Sequence, residues 1–276
     1  MLAGMNVSKG FAKDNFLRSK FSSIVYPYFL WSLIQGGIQI FMSSEVNSAV
    51  NWLDLFEIMW KPIGQFWFLH ALFLCHIMIV ILTTNRRIVL LASIVCYVCG
   101  MYFSLGVISN AFSFFLFYAA GLLSAPYLEK WVTDLSNFKG IVFIAAGFLF
   151  SLYVAFSFDS PSSPVALPAA FLGMFLVLQI SLVIIKLQKL KVIELLGLAS
   201  MPIYLMHIIF GSGVRVFILK FGVTRIELNL LFGCLFVIVA PLVIYYFTYY
   251  CKVERIFGFN NASIIFKKFP AILVKK

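Results

Sequence analysis

Residues 228–250 read LNLLFGCLFVIVAPLVIYYFTYY, a run of 23 residues without a charged side chain. A helix that spans the hydrocarbon core of a bilayer needs about 20 predominantly apolar residues, so this run predicts a transmembrane helix. The strands of a membrane barrel would instead alternate in polarity over about ten residues. The fold class therefore depends on how many similar runs the chain contains.

Seven further apolar runs have a similar length. Together with the first, they predict an all-α, polytopic membrane bundle of about eight transmembrane helices. The predicted spans are 21–42, 66–83, 88–107, 111–128, 140–157, 166–185, 200–219 and 228–250.

The composition supports this fold class. The chain is 63% hydrophobic and 11% charged, whereas a soluble domain carries about 25% charged residues. An ordinary soluble enzyme, a disulfide scaffold and a disordered chain are therefore excluded. The five cysteines lie inside or at the edge of apolar runs, which indicates packing residues and predicts neither a disulfide framework nor a zinc site.

The basic residues define an orientation. The net charge is +11, and the lysines and arginines lie between the apolar runs. This distribution argues against a nucleic-acid partner and for the excess of positive charge found in cytoplasmic loops. With the N-terminus in the cytoplasm, 17 of the 21 basic residues fall on the cytoplasmic side. Both termini are then predicted to be cytoplasmic, with a membrane domain over 1–258 and a basic tail over 259–276.

The longest external loop, 43–64, contains the sequence WLDLFEIMWK. Asp54, Glu57 and Lys61 share one helical face, and aromatic and aliphatic side chains fill the rest. This pattern predicts a short helix that lies flat in the membrane interface.

Ionisable groups inside a span are costly and are functional candidates by default. In the seventh span, Tyr204, His207, Gly211 and Arg215 form one narrow stripe. His207 is predicted about 10 Å from the cytoplasmic end, and Arg215 about 12 Å further out. The stripe predicts a face that looks onto protein or water. The alternative is that His207 only satisfies a backbone group and Arg215 extends to the outer headgroups.

Two other places hold candidates. Trp67 and His70 begin the second span and are expected to face a polar cavity in the outer half, although Trp67 also suits an aromatic belt. His76 lies about 240° around the helix from His70, so the two cannot share a metal, and no metal is expected. Arg18 and Lys20 precede the first span, where they act as a positive-inside anchor or bind an anionic donor.

Three stretches together resemble the integral-membrane acyltransferase family 3, in the branch of the fucose 4-O-acetylase-like proteins that O-acetylate exported sugars. They are FLRSKFSSIVYPYFLW (16–31), PIGQFWFLHALF (62–73) and LGLASMPIYLMHIIFGSGVRVFIL (196–219). The last is the most specific, because family members share a Gly-x-x-Ser…Tyr-Leu-x-His core followed by an arginine. The likeness covers roughly residues 1–250.

The resemblance implies ten helices, a bacterial inner membrane, acetyl-CoA or another acyl-CoA as the donor, and a carbohydrate hydroxyl as the acceptor. Residues 1–5 look like the end of the family's second helix. We therefore expect the chain to lack the first helix, which carries the family's principal catalytic histidine and a nearby arginine. Lys20 and Ser23 occupy what look like the family's two basic positions, with Arg18 nearby.

These observations predict an O-acyltransferase that moves an acyl group, with acetyl expected, to a surface polysaccharide or its precursor. His207, Tyr204 and Arg215 are the catalytic candidates, and Trp67, His70, Arg18 and Lys20 are the substrate-binding candidates. The lipid bilayer and the carbohydrate are the expected partners. The alternatives are a polysaccharide or lipid-linked sugar exporter, another small transporter, and a truncated non-catalytic remnant. The absence of two related halves with paired broken helices argues against a transporter.

Overall fold

A computed structural model describes residues 1–7, 15–42, 51–82, 85–158, 164–187, 191–223 and 225–259. Within these ranges the secondary structure is helical, which confirms the predicted all-α membrane fold. The helices are α1 Leu2–Val7, α2 Phe16–Lys20, α3 Tyr26–Phe41, α4 Asp54–Glu57, α5 Trp67–Leu82, α6 Arg86–Tyr102, α7 Val107–Asp134, α8 Phe138–Ser157, α9 Leu167–Leu187, α10 Lys191–Leu198, α11 Ser200–Lys220 and α12 Ile226–Tyr250.

Seven helical spans in this part of the chain are long and apolar enough to cross a membrane. They are Phe16–Phe41, Gly64–Leu82, Val107–Leu128, Phe138–Ser157, Pro164–Ile185, Ser200–Lys220 and Ile226–Tyr250.

The remaining predicted span, 88–107, forms the shorter helix α6, which has 17 residues and begins with Arg86 and Arg87. It ends at Tyr102 because Phe103 is extended, with a φ of −107° and a ψ of 121°, and the turn that leads to α7 contains Gly106 with a left-handed φ of +60°. The Ser109 hydroxyl closes this turn by accepting a hydrogen bond of 2.6 Å from the Leu105 backbone N–H.

The chain forms two compact units, Met1–Leu122 with Leu195–Lys276, and Leu123–Glu194. In the second unit α8 packs along α9. Gln179 on α9 is fully buried, and its amide donates a hydrogen bond of 2.6 Å to the Leu135 carbonyl just after α7. A polar side chain within an apolar helix thus satisfies one of the carbonyls that the end of α7 leaves without a helical partner.

The first unit contains all of the candidate residues. Its first span begins with α2 and continues into α3 through a π-helical turn, Phe21–Val25, in which the Tyr26 N–H bonds to the Phe21 carbonyl. Pro27 follows this turn. The ring of a proline inside a helix collides with the carbonyl four residues earlier, and the wider π turn gives it room.

The segment 51–63 differs from the predicted interfacial helix. Only one turn is helical, Asp54–Glu57, although Glu57 and Lys61 do share a face and form an ion pair of 3.3 Å. The segment packs on α3, where a side-chain carbon at Gly36 would lie 2.5 Å from Leu55. The Ile58 carbonyl accepts a hydrogen bond from the Tyr28 hydroxyl. The contacts of this segment on α3 therefore cover about 12 Å of helix. Residues 43–50 of the predicted loop lie outside the described part.

The chain after α12 turns back onto α3. The Ile256 carbonyl accepts a hydrogen bond of 2.6 Å from the Tyr26 hydroxyl, and the Phe257 carbonyl accepts one of 3.0 Å from the Trp31 indole. Phe259 is buried and its ring stacks on that of Trp31 at 5.9 Å. The packed domain thus includes Phe259, where the predicted tail begins, and the rest of that tail, 260–276, lies outside the described residues.

Candidate functional site

The polar face of α3 is the starting point of the site. Tyr28, Ser32, Gln35 and Gln39 recur at i, i+4, i+7 and i+11, which places them on one side of the helix. The first three are buried, and Gln39 is half-buried. Buried polar groups in an apolar helix are costly unless they are paired, so this face has to be matched by groups on neighbouring elements.

The match for Gln35 is Gln65, in the 3₁₀ turn Gly64–Phe66 that leads into α5. Their carboxamides pair reciprocally. The Gln65 amide nitrogen donates to the Gln35 oxygen at 2.9 Å, and the Gln35 amide nitrogen donates to the Gln65 oxygen at 3.2 Å. This pair joins α3 to the start of α5.

Gln65 also contacts α11. The Tyr204 hydroxyl donates a hydrogen bond to the Gln65 backbone carbonyl, and the Tyr204 ring meets that of Phe68 edge to face at 6.0 Å. The sequence placed Tyr204 in the inner half of the bundle and Trp67 and His70 in the outer half. The structure instead brings Tyr204 to the start of α5, because the segment 51–63 returns along α3 and α5 begins beside Gln35 rather than at the end of α3.

His207 is fixed through its own helix. Its Nδ1 lies 2.7 Å from the Tyr204 carbonyl oxygen, and the two rings are 5.9 Å apart. A ring nitrogen donates to a carbonyl only when it carries the proton, so Nε2 holds the free lone pair in the neutral ring. The half-buried imidazole therefore presents a basic nitrogen.

His70 lies in the first turn of α5. Its ring is 5.5 Å from that of Tyr28, whose hydroxyl donates to the Ile58 carbonyl. The His70 Nδ1 is buried and has no hydrogen-bond partner within the described ranges. We refer to Tyr28, Gln35, Gln65, His70, Tyr204 and His207 as the polar cluster.

His76 has a different environment from the other two histidines. It is 1% exposed, its Nδ1 lies 2.7 Å from the Leu72 carbonyl, and its ring packs against Phe16 and Tyr118. These contacts indicate a structural role for His76. Among the described residues no three histidine, cysteine or acidic side chains come together as a metal site would require.

The remainder of the α11 stripe is split. A side-chain carbon at Gly211 would lie 3.0 Å from Val237, so this part of the stripe faces α12. Arg215 is exposed, and its position is about 12 Å along the helix from His207. The structure therefore brings Tyr204 and His207 together with α3 and α5, and it places Arg215 at a distance from them.

The other predicted residues flank the polar cluster. Trp67 is half-buried, and its ring lies 5.5 Å from that of Phe114 on α7. Arg18 is exposed, and the Lys20 ammonium lies 5.5 Å from the centre of the Phe16 ring. Lys20 precedes Tyr28 by eight residues, which separates the basic pair from the cluster by about 12 Å.

The polar face of α3 was not predicted from the sequence. The prediction rested on ionisable groups, and Ser32, Gln35 and Gln65 carry no charge. Their signal was available in the regular spacing of hydroxyl and amide side chains within an otherwise apolar span. The pairing with Gln65 depends on the path of the segment 51–63, which the sequence did not indicate.

Comparison with known proteins adds one finding. The family model described as an acyltransferase domain matches residues 1–249, which include the whole polar cluster and the basic pair Arg18 and Lys20. No curated protein and no solved structure matches the chain significantly.

Proposed function

The chain belongs to this acyltransferase family and is a multi-pass membrane protein, and from that premise we propose that it transfers an acetyl group from acetyl-CoA to a hydroxyl group of a surface carbohydrate or its precursor. The proposal includes a bacterial inner membrane with both termini in the cytoplasm, which requires that α6 cross the membrane in addition to the seven longer spans. The observation that carries it is the environment of His207 within the matched region: its Nδ1 is engaged by the Tyr204 carbonyl, which leaves Nε2 as the basic nitrogen, and Tyr204 itself binds the start of α5.

The donor is assigned to the end of the unit that carries Arg18 and Lys20. Guanidinium and ammonium groups bind phosphates through charge-assisted hydrogen bonds, and Arg18 is exposed. In acyl-CoA the pantetheine arm separates the phosphates from the thioester. With the phosphates at the basic pair, that arm extends along α3 toward His70 and His207.

His207 acts as the general base in this proposal, because an alcohol is a weak nucleophile at neutral pH. Its Nε2 takes the proton from the acceptor hydroxyl while the oxygen attacks the thioester carbonyl. The tetrahedral intermediate then breaks its carbon–sulfur bond, and the departing sulfur takes the proton from the imidazolium. The products are an acetyl ester and free CoA.

Tyr204 is a positioning residue in this scheme. Its hydroxyl is engaged by the Gln65 carbonyl, and its own carbonyl accepts the His207 Nδ1 proton. Trp67 and His70 are assigned to the acceptor, since an aromatic face and a ring nitrogen that has no partner among the described residues suit a sugar. Arg215 lies too far from His207 to take part in the same step, so we assign it no role in the chemistry.

The test compares two histidines by the same substitution. Membranes that carry the wild type, His207→Gln or His76→Gln are incubated with radiolabelled acetyl-CoA and methyl glycosides. Loss of a general base typically lowers the rate by 10²-fold or more. We expect that loss for His207→Gln, and an unchanged rate per folded molecule for His76→Gln.

Acetyl transfer by membranes that carry the wild type tests the proposed function itself. The assay is run with the 276-residue chain and with the same chain preceded by the helix that the family resemblance places before it. Absence of acetyl transfer in both cases contradicts the enzymatic proposal. Loss of polysaccharide export with normal acetylation in His207→Gln cells favours a transporter.

A further inference from the structure

We propose that Ser32, Gln35 and Gln65 form a binding site for the acceptor that recognises its non-reacting hydroxyl groups. The inference rests on the proposed function and specifies its substrate class. An acceptor with several hydroxyl groups is a carbohydrate, whereas a simple alcohol offers only the group that reacts. The three residues would therefore determine whether a sugar is preferred.

Ser32 provides the first argument. It is fully buried, and its hydroxyl has no hydrogen-bond partner within the part of the chain that the structure describes. A buried hydroxyl without a partner costs free energy, and an alanine at this position would avoid that cost. On the same face, the Gln39 carbonyl oxygen also has no partner among the described residues. A ligand with hydroxyl groups would satisfy both atoms.

The glutamine pair provides the second argument. A carboxamide has two N–H donors and two acceptor lone pairs, and the reciprocal bonds use one donor and one acceptor of each. Gln35 and Gln65 therefore keep one donor and one acceptor each, fixed in orientation by the pair. Adjacent hydroxyl groups of a sugar ring need such alternating donors and acceptors.

Gly64 allows the turn that carries Gln65 to approach Gln35 closely. It has a φ of +52°, and a side-chain carbon there would lie 3.2 Å from the Gln35 amide nitrogen. The left-handed conformation and the short distance both favour glycine at this position. The turn that carries Gln65 can thus pass directly beside Gln35.

The site is connected to the proposed base. The Tyr204 hydroxyl binds the Gln65 carbonyl, and the Tyr204 carbonyl binds the His207 imidazole. One residue therefore links the glutamine pair to the nitrogen that would activate the acceptor. A sugar held by the pair would be placed within reach of His207.

The experiment compares two acceptors in the same membranes. Methyl glycosides carry several hydroxyl groups, and hexan-1-ol carries one. The double variant Gln35→Leu/Gln65→Leu removes both partners, so neither amide is left unpaired in the free protein. Loss of one or two neutral hydrogen bonds corresponds to about a 10-fold effect. We expect the KM for methyl glycosides to rise about 10-fold more than the KM for hexan-1-ol.

Ser32→Ala is the second variant, because it keeps the fold and removes only the unpartnered hydroxyl. We expect the KM for the glycosides to rise several-fold more than the KM for hexan-1-ol. Ser181→Ala is the matched control, since Ser181 is an exposed helical serine bonded to its own Val177 carbonyl. It should leave both acceptors unaffected.

The outcomes separate the two proposals. If the wild type transfers acetyl to neither acceptor, with or without the preceding helix, the proposed function fails. If it transfers acetyl and both variants keep the wild-type KM for the glycosides, the polar groups are structural or hold only water, and the inference is overturned. An equal rise in KM for the glycosides and for hexan-1-ol also overturns it, because recognition of additional hydroxyl groups would then not be involved.

Discussion

Gly258 allows the turn after α12 to pack against α3. The substitution Gly258→Ala tests how much this packing contributes to the free energy of unfolding. The glycine has a φ of +78°, and a side-chain carbon on it would lie 2.6 Å from Cγ and 3.0 Å from Cβ of Pro27. A left-handed conformation costs a residue with a side chain about 1–2 kcal/mol. The proline ring is rigid, so it cannot relieve the overlap by a rotamer change.

Complete undocking of the turn sets the upper limit on the stability that Gly258→Ala can remove. Undocking breaks the hydrogen bonds from Tyr26 to Ile256 and from Trp31 to Phe257, and it exposes the ring of Phe259. Two hydrogen bonds contribute about 2 kcal/mol together, and burial of a phenylalanine contributes about 1.5–3 kcal/mol. We therefore expect Gly258→Ala to lower the free energy of unfolding by about 2–4 kcal/mol.

The assay is unfolding of the purified protein in mixed micelles by titration with sodium dodecyl sulfate, followed by circular dichroism. Gly233→Ala is the matched control, because Gly233 lies inside α12 with open space around it. Alanine is the better helix former, so this variant should unfold at the same point as the wild type or later. A Gly258→Ala protein that unfolds within about 0.5 kcal/mol of the control would contradict the predicted anchoring role.

Two further predictions concern the rest of the chain. Gln179→Leu should lower the free energy of unfolding by about 1–3 kcal/mol in the same titration, because it leaves the Leu135 carbonyl without its buried donor; an unchanged value would show that this hydrogen bond contributes nothing. A maleimide reagent should label Cys251, which is exposed beyond α12, and should leave Cys75, which is 2% exposed, unmodified until the protein unfolds. Mass spectrometry of the labelled peptides distinguishes the two thiols, and labelling of Cys75 in the folded protein would contradict its burial.

The apolar runs predicted the helices well because the requirement for a spanning helix is mostly one of length. The break predicted between the spans 88–107 and 111–128 lies a few residues earlier in the structure, from the extended Phe103 to the left-handed Gly106. The residues on both sides are largely apolar, so hydropathy located the break only approximately.

The candidate site was predicted only in part, because the shift of one helix along its axis relative to its neighbours depends on tertiary packing. The spacing of Tyr204 and His207 on α11 was visible in the sequence. Their contact with Gln65 was not, since it requires α5 to begin beside Gln35. Arg215 was predicted about 12 Å further along the same helix than His207, and it is exposed at that position.

The π turn at Phe21–Val25 inserts one residue more than a regular helix would use over the same length. One residue corresponds to about 100° of rotation, so the side chains before the turn are rotated by that angle relative to those after it. The winding of the residues between Lys20 and Tyr28 thus decides which direction the positive charges take around the axis. A one-residue deletion there would restore an unbroken helix in which Arg18 and Lys20 keep their direction, whereas the same residues wound as a regular α-helix would turn both side chains by about 100° to another side of the protein.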